Sequence, residues 1–106
     1  MAMRDEQPIH PGEILAEDIL AEIGMTGREL ARALNVSPNR ISEILRGRRA
    51  ITADTALRLS RWLGTSPELW LNLQQAYDLE SAQLAVGASI EREVRPVPRR
   101  DVVLGY

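Results

Sequence analysis

The sequence predicts an all-α fold of five helices with a short extended C-terminal tail, and three observations carry that expectation. Hydroxyl side chains suited to capping helix N-termini recur at Thr26, Ser37, Thr52 and Ser66, two of them followed directly by proline. Glycines stand where helices should stop, at Gly24, Gly47 and Gly64. Between these marks the apolar residues recur at the three- and four-residue spacing of a buried helical face.

Each element follows from this punctuation. The first helix opens at Pro11, alternates Ile14, Leu15, Ile19 and Ile23 with Asp18 and Glu22, and ends at Gly24. Thr26 caps the second, with Glu29 three residues on, where a capping box needs its acid. Asn35 follows its last turn and tolerates the left-handed conformation that closes a helix. Ser37 and Pro38 open the third, which buries Ile41, Ile44 and Leu45 and closes at Gly47. Thr52 caps a fourth carrying Ala56, Leu57, Leu59, Trp62 and Leu63, stopped by Gly64. Ser66 and Pro67 open a fifth that runs through Trp70, Leu73 and Tyr77 toward Leu84. After Gly87 the helical pattern fails. Pro96 and Pro98 forbid a central strand there, so Glu91 to Val97 reads as an edge strand or polyproline-like arm. The expected division is a domain over residues 1–86 and a tail over 87–106.

Composition narrows the class. The chain has 106 residues, 44% of them hydrophobic, enough for one domain with a modest core. There is no cysteine, hence no disulfide and no thiolate chemistry, which suits a reducing cytoplasm. Neither a signal peptide nor a membrane span is legible, so the expected location is cytoplasmic. Net charge is −2, but it is unevenly spread. Residues 1–25 hold one arginine against six acids, while residues 26–61 hold eight arginines against Glu29, Glu43 and Asp54. The second and third helices therefore lie in the basic third of an acidic protein, the footprint that phosphate binding requires.

That same run, Thr26 to Gly47, has helix-turn-helix grammar: two short capped helices around a tight turn, the second with a polar face of Ser37, Asn39, Arg40, Ser42 and Glu43. The second helix of such a pair enters the DNA major groove. Arg46, Arg48 and Arg49 follow it around Gly47 and are expected to clamp phosphates, with the amides near Gly47 assisting. Thr26, Arg28 and Ser37, at helix N-termini, are further phosphate candidates. No catalytic residue, metal or cofactor is expected. His10 is the only histidine, and of its acidic neighbours only Glu13 and Glu17 share a helical face.

Three blocks in order, HPGEIL at His10–Leu15, LARALNVSPNRISEILRGRRAIT, and TALRLSRWLGTSPELWLNLQ, closely resemble HigA-type antitoxins of the Xre/Cro-like (lambda-repressor-like) helix-turn-helix class. The resemblance spans about residues 8–85. It implies a homodimer that represses its own operon and neutralises a small basic HigB toxin similar to the RelE-type ribonucleases that cut mRNA. Carried over position by position, it implies base reading by Pro38, Asn39, Arg40 and Glu43, with Ser42 near a base or the backbone.

Two surfaces remain. The fifth helix carries more apolar residues than one face can bury internally, so Leu69, Trp70, Leu73 and Tyr77 are expected to share core and dimer contacts. The acidic first helix, through Glu13, Glu17 and Asp18, is the expected face for a basic toxin. Two other functions fit parts of the pattern: a stand-alone Xre-like repressor, and an interaction module that occludes a partner enzyme.

Overall fold

A computed structural model describes residues 7–98, and over that span the chain is helical with short connections and no strand. The first helix, α1, covers residues 11–23. It begins as Pro11–Ile14, passes through a π-helical stretch, Leu15–Leu20, and returns to α geometry over Ala21–Ile23. A regular α-helix was expected here. Bonding from i to i+5 brings residues five apart toward one side, and Leu15 and Leu20, five apart, are both buried. The remaining helices are α2 (Gly27–Leu34), α3 (Pro38–Leu45), α4 (Ala53–Leu63) and α5 (Pro67–Glu93).

The caps are where the sequence puts them. Thr26 Oγ1 accepts from the Glu29 N–H while Glu29 Oε1 accepts from the Thr26 N–H, completing the capping box. Ser37, Thr52 and Ser66 each accept from the amide three residues on. Asn35 is the one non-glycine residue at positive φ among those described, at 59°, and it turns the chain from α2 into α3.

Leu15, Leu30, Leu34, Ile41, Ile44 and Leu59 form the centre of the core, joined by Trp70 from α5. Trp70 is only 1% exposed, and its Nε1–H donates to Thr65 Oγ1. This corrects its expected share in a dimer, because a side chain with no surface in the protomer has none to offer a partner. Leu69, by contrast, is exposed, while Leu73 and Tyr77 are half-buried.

α5 also runs further than its sequence pattern suggested. The expected break at Gly87 is absent, and residues 87–93 are helical. One glycine costs a helix interior only about 1 kcal/mol, and Ala, Leu, Gln, Glu and Arg around it are good helix formers. The helix stops at Val94, whose φ of −110° and ψ of 120° are extended. Its neighbour Arg95 precedes Pro96, and a residue before proline is disfavoured in the α region. Residues 94–98 carry no regular secondary structure, and the expected Glu91–Val97 arm is helical over its first three residues. The rest of the expected tail, residues 99–106, lies outside the described residues. At 27 residues α5 is roughly 40 Å long and projects beyond the core.

α1 and the end of α3 meet backbone to backbone. A Cβ built on Gly12 would stand 1.7 Å from the Ile44 carbonyl oxygen, so only glycine fits. Gly12→Ala should therefore cost about 3 kcal/mol or more, because backbone rather than a flexible side chain must move. Gly24→Ala, at φ 70° with nothing within 4 Å, should cost only about 1–2 kcal/mol. Urea unfolding of both variants checks the order, and equal losses would contradict the contact.

A candidate nucleic-acid interface

α2 and α3 make the interface by packing their apolar sides together and turning the rest outward. Leu30, Ala31 and Leu34 meet Ile41 and Ile44, all buried, leaving Ser37, Pro38 and Asn39 exposed at the start of α3. Their exposure is a consequence of the amphipathic pattern, since an eight-residue helix has little stability of its own and must spend its apolar side on the core.

Arg40 is more constrained than its sequence suggested. Its Nη1 donates to Asp54 Oδ2 at 2.6 Å and sits 3.4 Å from Thr55 Oγ1, tying the first turn of α3 to the first turn of α4. The same carboxylate oxygen accepts from Arg58 Nε at 2.9 Å. Arg58 Nη1 in turn donates to the Leu34 carbonyl at 3.0 Å and reaches the Asn35 carbonyl at 3.4 Å. One acid and two arginines therefore bind α3, α4 and the inter-helix turn together. Arg58 Nη1 also satisfies carbonyls that the end of α2 would leave orphaned. The sequence shows Asp54 and Arg58 at the i, i+4 spacing of a helical ion pair; nothing in it shows that Arg40 shares the acid.

Among the other expected base readers, Ser42 is half-buried, and Glu43 lies 3.6 Å from Arg49 as an ion pair. Of the phosphate candidates, Thr26, Arg28, Arg46, Arg48 and Arg49 are exposed. Arg28 and Arg46 line a concavity of about 360 Å³ with Gly27, Pro38, Ser42 and Leu45, between the start of α2 and the outer side of α3. The hydroxyls of Thr26 and Ser37 accept from amides of their own helices, and each retains its own hydrogen to donate outward.

One expected contribution is corrected. The amides of Gly47 and Arg48 are already engaged within the chain. The Gly47 N–H donates to the Ile44 carbonyl at 2.9 Å and the Arg48 N–H to the Glu43 carbonyl at 2.8 Å, closing the end of α3. Gly47 supplies a φ of 75° and close packing against His10.

His10 lies behind the loop, buried, with its ring edge-on to Tyr77 at 4.8 Å between centroids. Its Nδ1 accepts from the Gly12 N–H at 2.8 Å, so it caps α1 as the neutral imidazole. Burial lowers its pKa, against the opposing pull of Asp78, the Arg49 main chain and Glu13. Among the described residues no group of His, Asp and Glu side chains could hold a metal ion. None of the described helices is long and apolar enough to cross a membrane.

On the acidic side, Glu17 and Asp18 are exposed and Glu13 is half-buried. Leu73, Ala76, Tyr77 and Leu84 of α5, with Ile9 and Ile14, line a groove of about 540 Å³.

Residues 17–70 match the helix-turn-helix family. The chain is 55% identical over 83 residues to virulence-associated protein I of Dichelobacter nodosus, covering 77% of each chain. It superposes with a TM-score of 0.81 and 53% identity on an addiction module antidote protein of a HigA family from Coxiella burnetii, over 86% of this chain and 99% of that one. The antitoxin HigA of Pseudomonas aeruginosa, solved with the higBA promoter, superposes at a TM-score of 0.83 with 46% identity, again over 86% and 99% of the two chains.

The Asp54 bridge has a pH signature. The Arg58 and Arg40 hydrogen bonds hold the Asp54 carboxyl below its ordinary pKa. A depressed folded-state pKa stabilises the fold above the unfolded-state value, near 3.9, and that contribution is lost as pH falls through the folded value. Asp54→Asn should therefore be less stable than the parent at neutral pH, the gap closing as the pH falls through the carboxyl's folded value. Urea midpoints at both ends test this; a gap independent of pH would remove the ionised carboxylate from the account.

Proposed function

This chain belongs to the Xre-like helix-turn-helix family, whose members here are DNA-binding antitoxins and regulators and not enzymes, and from that premise we propose that it is an antitoxin that represses its own operon and silences a HigB-like, mRNA-cleaving toxin. The observation that carries the DNA half is the exposed N-terminal turn of α3, Pro38 and Asn39, with Arg28 and Arg46 beside Pro38 and with Arg48 and Arg49 exposed on the loop that follows the helix. The relative bound to the higBA promoter supports the same reading.

The roles divide by chemistry. Asn39 presents an amide able to pair bidentately with adenine. Pro38 offers only apolar surface, suited to a thymine methyl. Arg40 reads a base only by leaving Asp54 or by reaching past it with its other nitrogen, so Asp54 controls its reach. Glu43 accepts from a cytosine amine if Arg49 is drawn to a phosphate instead. Arg28, Arg46, Arg48 and Arg49, with the Thr26 and Ser37 hydroxyls, supply the phosphate contacts.

A two-fold dimer places two such helices in successive major grooves about 34 Å apart, on an inverted repeat. Leu69, Leu73 and Tyr77 of α5 supply its apolar surface. The exposed carboxylates of Glu17 and Asp18, in the π-helical stretch of α1 beyond the turn that packs on α3, attract a basic toxin without competing for phosphate. Glu13, half-buried, contributes at the edge of that face.

Binding to a duplex from the chain's own upstream promoter should be tight at low salt, lost on a scrambled duplex, and should fall steeply as salt rises. Arg48→Ala should weaken binding to every duplex and flatten the log–log salt slope by about 0.9, whereas Asn39→Ala should narrow the gap between operator and scrambled DNA. Equal binding to both duplexes by the parent would defeat the repressor reading.

The toxin half is tested separately. Charge reversal at Glu17 and Asp18 should weaken capture of the toxin encoded beside this chain and leave operator binding unchanged. Undiminished capture would move the toxin site elsewhere.

A further inference from the structure

Gln74 is buried on α5, a helix outside the helix-turn-helix pair, at a position where an apolar residue would serve packing as well. Its Oε1 accepts from the Ile51 N–H at 2.8 Å, and its Nε2 donates to Asp78 Oδ1 at 3.0 Å. Ile51 ends the loop that carries Arg46, Arg48 and Arg49, and it is itself 2% exposed. The other side of that loop rests on His10, which meets Gly47 at 3.6 Å from the position of a Cβ and faces the Arg49 main chain. His10 is seated on Tyr77, one turn along α5 from Gln74. The loop's main chain is thus held from α5 at both ends while its arginine side chains stay in solvent.

We propose that Gln74 is a positioning residue for DNA binding, its side-chain oxygen fixing the main chain of the Arg46–Ala50 loop so that the arginines meet the phosphate backbone in register. The proposal rests on the DNA-binding reading above. Asp78 is the second member of the device: by accepting from Nε2 it keeps the Gln74 oxygen, and not the amide nitrogen, turned toward Ile51. Base reading by Asn39 lies outside the device, because the first turn of α3 is seated through Ile41 and the Asp54 bridge, whereas Glu43 is tied to the loop through Arg49.

Operator binding measured across a salt series tests this, with the full chain and a duplex from its own promoter. Gln74→Met keeps the shape and removes the acceptor. It should weaken operator binding roughly ten-fold near physiological salt and flatten the salt slope by about one to two phosphate contacts' worth, some 0.9 each. The ratio of operator to variant affinity at the base that Asn39 reads should not change. The charge-conserving swap Gln74→Glu with Asp78→Asn restores an acceptor for Ile51 and a donor for residue 74, and should restore slope and affinity together. Were Gln74→Met not to fold, Asp78→Ala, at an exposed site, removes the anchor on Nε2, loosens the side chain that holds Ile51 and should flatten the slope in the same direction. A merely structural role lowers the active fraction in a stoichiometric titration and leaves the slope at its parental value; that result overturns the proposal. A parental protein that fails to prefer its promoter overturns instead the reading on which the proposal rests.

Discussion

The approach of Gly12 to the Ile44 carbonyl is the contact on which the remaining geometry depends. α3 is eight residues long, too short to hold itself, and every candidate base reader projects from it. Its axis is set by what its buried side touches: α2 on one flank and the start of α1 on the other. Because α1 meets α3 backbone to backbone, a side chain of any size at position 12 would push the helix end outward. His10, which caps α1 through the Gly12 N–H, then places its ring against Gly47, where the basic loop begins.

Electrostatics refine what packing establishes. The basic third of the chain is not a free field of arginines. Asp54 offsets part of the charge of Arg40 and Arg58, and Glu43 lies near Arg49. These exposed pairs contribute little to stability in water, since solvent screens them. Their consequence is directional: each holds a guanidinium in one place before a partner arrives. Arg58 shows the structural use of the same chemistry, its guanidinium donating to the carbonyls of the Asn35 turn.

The elements were legible in the sequence because each boundary is written locally. Thr26 with Glu29, Ser37 with Pro38, and Gly24 and Gly64 act on amides and carbonyls within a few residues, and each sits where it was expected. The end of α5 was not legible at Gly87, because one glycine is a small cost that strong helix formers on both sides outweigh. The π stretch in α1 was invisible for a related reason: its apolar pattern satisfies an ordinary helix, and burial of both Leu15 and Leu20 emerges only in the packed protein.

The candidate site divides along the same line. Sequence alone determined the helix-turn-helix, the exposed polar face of α3 and the basic residues that flank it, because amphipathic spacing and cap chemistry act over one or two turns. Only tertiary structure decided that Trp70 belongs wholly to the core, that the Gly47 and Arg48 amides are engaged within the chain, and that Arg40 shares Asp54 with Arg58. It also decided that Gln74 reaches the loop after α3. Those contacts join residues far apart in the chain, and their partners are set by how helices cross, which no local pattern encodes.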